Sequence, residues 1–270
     1  MTFCNDRNQN AYVTSVNTVL VFSHKLYERG LSYSTLNTAR SALSSFVTIE
    51  NTTATVGNHT LVSRFLKGVF NLKPPVPRYR QIWDPRLVFN QLRKWGPLAK
   101  LTLKQLTLKL CVMLALLGAA RTQLLRAYRT DKMEVGDNHI ILRVDDLMKS
   151  DRPGKVGHEL TLRAYPVDGR LCIVKTMKYY LEVTKAFRHS QDKELFLSLK
   201  EPHKAVTKDS IARWIREMLA LSGIDVNIFK AHSVRSASVS KASSFVPTED
   251  IMARADFTQE KTFRQYYNQY

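Results

Sequence analysis

Two short segments decide the fold: Asn138-His-Ile-Ile-Leu-Arg-Val144 and His158-Glu-Leu-Thr-Leu-Arg-Ala164, separated by the turn-rich Ser150-Asp-Arg-Pro-Gly154. Ile140, Ile141 and Val144 in the first, and the alternation of Leu160 with Leu162 in the second, predict the two strands of a hairpin. A short strand near Met133 to Val135 extends it to three. No other part of the 270 residues has strand character. The chain is therefore expected to be mainly α with one small antiparallel sheet.

Upstream of the hairpin, Thr102 opens a helix through Leu106, Leu110, Met113, Leu114 and Leu117 that is apolar nearly all round, which predicts a central core helix. Asp84-Pro85 supplies an N-cap and a first-turn proline for a helix that stops at Gly96. Further back, Lys73-Pro-Pro-Val-Pro-Arg-Tyr-Arg80 has three prolines in four residues and reads as an extended linker. Helical spacing is expected over Val13 to Glu28, with Gly30 as the stop, then over Ser34 to Val47 and Leu61 to Phe70, with a polar loop from Ile49 to His59. Downstream, helices are expected over Leu171 to Phe187 and Ser210 to Leu221, with shorter ones from Ser233, Thr248 and Thr262. The expected organisation is a helical domain over 1–74, a linker over 75–83 and a second domain over 84–270.

Lys and Arg total 41 against 23 Asp and Glu, a net charge of +18 spread along the chain, which favours a polyanionic partner. Membrane binding is disfavoured, since the longest nearly uninterrupted apolar run, Leu110 to Ala120, is too short to span a bilayer. Asn5, Asp6 and Arg7 interrupt any apolar signal core, so no secretory signal is expected. Cys111 and Cys172 sit in apolar runs, and Cys4 is remote from both. They read as small core residues of a reducing, intracellular compartment.

No Walker-type phosphate loop, HExxH motif or cysteine-rich metal site is present, and no cofactor is expected. Arg121 follows the core helix in Leu117-Gly-Ala-Ala-Arg-Thr-Gln-Leu-Leu125 and needs a partner if buried; alone it reads equally as a cation at a helix C-terminus or a core salt bridge. Lys149, with Arg152 and Lys155, lies at the hairpin tip and can reach a phosphate or form a solvated turn. His232 and Arg235 are three residues apart, which puts them on one helix face with donors suited to phosphoryl oxygens; a capping histidine is the alternative. Phe263-Arg-Gln-Tyr-Tyr267 ends the set with two tyrosines that could also be packing aromatics.

Arginine, hairpin lysine, His-x-x-Arg and a late tyrosine, in that order, resemble the tyrosine recombinase (phage integrase) family. Gly30-Leu-Ser-Tyr-Ser-Thr-Leu-Asn-Thr-Ala-Arg-Ser-Ala-Leu-Ser-Ser-Phe46 is similar to that family's helical, SAM-like core-binding domain. Lys149-Ser-Asp-Arg-Pro-Gly-Lys155, Pro202-His-Lys-Ala-Val-Thr-Lys-Asp-Ser-Ile211 and Lys230-Ala-His-Ser-Val-Arg235 resemble a eukaryotic branch linked to mobile elements. The resemblance covers roughly residues 13–267. It implies a core-binding domain followed by an α+β catalytic domain, acting on double-stranded DNA in the nucleus as a tetramer on two duplexes. It also implies roles. Tyr267 attacks a backbone phosphate to form a 3′-phosphotyrosyl bond, and Arg121 and Arg235 hold the non-bridging oxygens. Lys149 protonates the 5′-oxygen, and His232 assists proton transfer with the nucleophile. If two domains clamp a duplex, Arg40, Lys67, Lys208, Arg213 and Arg216 are the expected phosphate contacts.

The chain departs from the family pattern at Ala255-Asp-Phe257, where the family has His or Trp; phenylalanine supplies neither an imidazole nor an indole N–H. Only three residues follow Tyr267, so a longer C-terminal helix is not expected. Tyr266 lies nine residues after Phe257 and Tyr267 ten. The ending Thr262-Phe-Arg-Gln-Tyr-Tyr267 resembles that of the eukaryotic branch, in which the last tyrosine attacks, so Tyr267 is assigned and Tyr266 is the alternative. A mobile-element-derived DNA-binding protein that no longer cleaves is the rival reading, motivated by Phe257. A topoisomerase of the related class is a third, disfavoured by the core-binding resemblance.

Overall fold

A computed structural model describes residues 2–75, 81–147, 151, 157–189 and 191–255. The chain divides into two compact units, Met1–Arg78 and Tyr79–Tyr270.

The first unit runs α1 (Thr2–Asn5), β1 (Val13–Thr14), α2 (Val16–Glu28), α3 (Tyr33–Ser44), β2 (Thr48–Ile49) and α4 (Thr60–Leu72). Side-chain caps set the helix starts. Ser15 and Ser32 accept from the N–H groups of Thr18 and Thr35, and His59 Nδ1 accepts from Leu61 N–H at 3.2 Å. Gly30, at φ +80, ends α2 in a conformation that a side chain would strain. The helix expected from Val13 begins instead at Val16, because Val13 and Thr14 pair in parallel with Thr48 and Ile49. The same pairing ends α3 before Val47 and carries Ile49, expected in a loop, into a core of Val19, Val47, Val56 and Val62. A second cluster of Leu36, Leu66 and Val69 lies where α3 and α4 meet.

The second unit is built on α6. It runs α5 (Arg86–Lys94), α6 (Leu103–Leu117), α7 (Thr122–Ala127), β3 (Met133–Val135), β4 (His139–Val144), β5 (His158–Arg163), α8 (Ile173–Lys185), α9 (Lys208–Leu221), α10 (Ser233–Ala242) and α11 (Thr248–Arg254), with single 3-10 turns at Leu98–Lys100, Thr130–Lys132 and Gly169–Leu171. Thr102 and Gln105 form a reciprocal capping box that starts α6, and every residue from Leu106 to Leu116 is buried. The helix packs against α7, α8, α9 and α10, which explains its apolar character on all sides. The sheet has the order β3-β4-β5, all antiparallel, with Ile140 opposite Leu162 and Leu142 opposite Leu160. Ile140, Leu142, Val144, Leu160 and Leu162 form its buried face, so the hairpin and the short third strand lie where alternation predicts them.

Two boundaries differ from expectation. The helix opened by Asp84-Pro85 begins at Arg86 and ends at Lys94 rather than Gly96; the Asp84 carboxylate accepts from Arg86 N–H at 2.9 Å. Ile82 and Trp83, expected in the linker, belong to the core of the second unit, with Trp83 only 6% exposed. Among the described residues no helix is long and apolar enough to cross a membrane.

Candidate active site

Arg121 stands at the N-cap of α7, four residues past the end of α6. The turn between the two helices is tight. Gly118 has no room for a side chain, since a Cβ there would lie 2.9 Å from Leu160 Cδ2 and 3.1 Å from the Leu114 carbonyl oxygen. Ala119 follows in the left-handed region at φ +43, which costs a non-glycine residue about 1–2 kcal/mol. The surrounding fold must hold it there, and side chains from two later helices do so.

Arg235 of α10 donates from Nη1 to the Ala119 carbonyl at 2.7 Å and from Nη2 to the Ala255 carbonyl. Ser238, one turn on, donates to the Leu116 carbonyl. Arg254, at the end of α11, donates from Nε to the Leu117 carbonyl at 2.7 Å and from Nη2 to Thr161 of β5 at 3.3 Å. The last turn of a helix leaves its carbonyls without partners inside that helix, and here those of Leu116 and Leu117, with that of Ala119 just beyond, are taken by side chains distant in sequence. A small apolar cluster of Ala119, Val239, Ile251 and Ala255 closes the same junction. Trp83 Nε1 donates to the buried Ser233 Oγ at 2.9 Å and so fixes the start of α10.

This lacework joins four of the segments that the sequence singled out: the Arg121 turn, the strand after the lysine hairpin, the His-x-x-Arg helix and Ala255, which leads into the tyrosine segment. Arg121 itself is half-buried and makes no side-chain hydrogen bond or ion pair among the described residues, so the core salt bridge considered for it is absent there. His232 is exposed at the N-cap of α10, whereas Arg235 is only 2% exposed. The two do not share one open face, because the helix starts at Ser233 and its first turn faces the core. Lys149, Phe257, Tyr266 and Tyr267 lie outside the described residues. Tyr128 and Tyr180 are buried, and burial pushes both phenols up.

Of the expected phosphate contacts, Lys67 is exposed on α4, and Lys208, Arg213 and Arg216 are exposed on α9. Arg213 also donates to Ser210 Oγ at 3.1 Å. Arg40 differs: it is half-buried and donates from Nη1 to the Gly57 carbonyl at 3.2 Å, a contact that holds the loop ahead of α4. Sequence reading missed Trp83, Ser238 and Arg254. Their partners are backbone carbonyls, which carry no residue signature. Among the described residues no three His, Cys, Asp or Glu side chains gather in a way that could hold a metal.

No protein-family profile matches the chain, and no curated protein matches it in sequence. Solved structures do. The chain is similar to a XerH site-specific recombinase bound to palindromic difH substrate in a post-cleavage complex, with 13% identity and a TM-score of 0.63 over 93% of this chain and 68% of that one. It is similar to a Tn1549 transposon integrase in complex with transposon right end DNA, with 12% identity and a TM-score of 0.60 over 94% and 81%. A lambda integrase dimer bound to a COC′ core site gives 15% identity and a TM-score of 0.57 over 94% and 80%. Mainly helical, with a three-stranded antiparallel sheet beside a buried central helix, the chain has the fold of the tyrosine recombinases and integrases.

Proposed function

We propose that this protein is a site-specific DNA recombinase that cuts and rejoins double-stranded DNA through a 3′-phosphotyrosyl intermediate. The observation that carries the reading is the open guanidinium of Arg121, held at the end of α6 by a turn that α10 and α11 lock in place. A planar, permanently charged fork whose donors no described residue takes is suited to the non-bridging oxygens of a phosphate. The likeness to recombinases solved with DNA, and the +18 charge, support the same substrate class.

In this reading Tyr267 Oη attacks the scissile phosphorus as its proton leaves, with exposed His232 assisting that transfer. The P–O5′ bond breaks, Lys149 protonates the departing 5′-oxygen, and the 3′-phosphate remains esterified to the tyrosine. Arg121 offsets the charge that gathers on the non-bridging oxygens. Reversal with a 5′-hydroxyl from another strand rejoins DNA without an external energy source. Lys67, Lys208, Arg213 and Arg216 contact backbone phosphates, and the working assembly is a tetramer on two duplexes in the nucleus. Origin in a eukaryotic mobile element fits the motifs around Lys149 and Lys230.

A second reading, a DNA-binding protein that no longer cleaves, is favoured by one observation: both terminal nitrogens of Arg235 point to backbone carbonyls rather than to an open site. One experiment separates the two. The full chain is incubated with nicked duplexes carrying candidate terminal sequences, and covalent protein–DNA adducts are trapped under denaturing conditions. A recombinase gives an adduct that Tyr267→Phe abolishes and Tyr266→Phe leaves intact. Salt-sensitive binding with no adduct on any substrate selects the second reading instead.

A further inference from the structure

Away from the Arg121 turn, the middle of α6 contains a buried cation. Lys109 is 0% exposed, and its ammonium makes no hydrogen bond among the described residues. It lines a cavity of about 630 Å³ together with Arg93, Tyr165, Asp168, Arg170 and Lys175. Asp168 is the carboxylate of this group, and both of its oxygens are already engaged. Arg93 Nε lies 3.0 Å from Oδ2, and Arg170 donates to Oδ1 from its backbone N–H at 3.0 Å and from Nε at 3.1 Å. Two guanidinium groups hold that carboxyl down to about 2, so it stays ionised and occupied.

Four cations thus surround one carboxylate. Lys175 is exposed, and its Nζ lies over Gly169, 3.6 Å from where a Cβ would stand. A side chain at Gly169 would narrow the entrance. Lys175 lies in the first turn of α8, which has no side-chain cap hydrogen bond. Burial pushes the Lys109 ammonium below the ordinary lysine value; Asp168 opposes this and Arg170 adds to it. An unpaired ammonium is among the costliest groups to bury, and an anion placed against it would remove the penalty.

We propose that this cavity binds a small phosphorylated anion, with exposed Lys175 as its contacting cation and the buried Lys109 ammonium offsetting its charge from behind the cavity wall. A phosphate monoester or pyrophosphate group has the multiple acceptors and the charge that the site lacks. Tyr165, which is 42% exposed, and Leu98 give an apolar rim for the rest of such a molecule. A duplex backbone is the poorer fit, because phosphates on a stiff rod reach exposed cations and not an ammonium with no exposed surface. Lys109 lies eight residues before the end of α6, about 12 Å along the axis. The site is therefore separate from the Arg121 turn, although one helix supports both.

The test uses the full chain, with thermal unfolding and titration calorimetry in inorganic phosphate, pyrophosphate and a nucleoside triphosphate, each against chloride at matched ionic strength. Pyrophosphate is expected to raise the midpoint in a concentration-dependent way. Lys109→Met is expected to unfold at a higher temperature than the wild type in chloride and to bind pyrophosphate at least tenfold more weakly. Lys175→Ala should keep the wild-type midpoint in chloride and also bind at least tenfold more weakly, which tests the site even if Lys109→Met folds poorly. Arg121→Ala should respond as the wild type does. The proposal is overturned if pyrophosphate acts no differently from chloride, or if Lys175→Ala binds as tightly as the wild type. It is equally overturned if Lys109→Met is less stable than the wild type in chloride, since the ammonium is then satisfied within the fold. Competition by duplex DNA that depends on Lys109 would reassign the site to DNA and overturn it as well.

Discussion

Arg235 and Lys109 are both buried cations in the second unit, and the fold treats them oppositely. Arg235 lies against the end of α6 with its two terminal nitrogens directed at the carbonyls of Ala119 and Ala255, which belong to segments 136 residues apart. Lys109 lies in the middle of the same helix with no partner for its ammonium among the described residues. The first charge is used to build the molecule, because its planar fork can satisfy two chain segments at once. The second is a cost that the apo fold carries. The difference teaches where to look for function. A buried cation whose terminal nitrogens are taken by backbone carbonyls holds other groups in position, whereas one with no hydrogen-bond partner among the described residues, beside a cavity, points to something that arrives later.

The largest expected effect comes from removing Arg235. Arg235→Ala leaves two buried carbonyls without their donor and opens a void, which should cost about 2–5 kcal/mol in urea unfolding of the full chain. Arg235→Lys should recover only part of this, since a single ammonium cannot span both carbonyls. Next comes the opposite sign: Lys109→Met keeps the volume and removes the unanswered charge, and should stabilise by about 1–3 kcal/mol. If both substitutions destabilise to the same degree, the contrast between the two cations is broken.

A pH series sharpens it further. The folded-state ammonium of Lys109 loses its proton below the ordinary lysine value of 10.5, so between that lowered value and 10.5 the unfolded chain holds more protons. Stability should therefore rise with pH through this window and fall again as pH is lowered through it. Subtracting the profile of Lys109→Met, in which Asp168, Arg93, Arg170 and Lys175 are retained, isolates the contribution. A smaller loss, about 1–2 kcal/mol, is expected for Gly118→Ala, which pushes β5 away from the α6 terminus without touching either cation. Trp83→Phe should cost about 1 kcal/mol by stripping Ser233 Oγ of its donor. Differential scanning calorimetry on both variants checks their order.

Much of this fold is legible in the residues because its signals are local. The β4–β5 hairpin is written in alternating burial from Ile140 to Leu162, and α6 in apolar residues on nearly every side behind the Thr102 cap. The caps Ser15, Ser32 and Thr207 place the starts of α2, α3 and α9 at Val16, Tyr33 and Lys208, against expected starts at Val13, Ser34 and Ser210. What escaped reading is long-range. The parallel pairing of Val13–Thr14 with Thr48–Ile49 depends on a contact across two helices, so β-branched residues at a helix start looked helical. The spacing of His232 and Arg235 suggested one shared face, yet capping geometry put one in solvent while carbonyls distant in sequence drew the other inward. The burial of Lys109 follows from the packing of α8 and α9, which the helix sequence alone does not reveal.

The side chains that cover the last carbonyls of α6 also determine an electric field. An α-helix presents roughly half a negative charge at its C-terminal end, which repels a phosphate. Here the Arg254 guanidinium and the Ser238 hydroxyl cover two of those carbonyls, and the Arg235 guanidinium sits on Ala119 just past them, so positive charge is fixed where the helix otherwise presents its negative end. Arg121 extends from this offset pole. The end of α6 is thereby less hostile to an anion than a bare helix terminus.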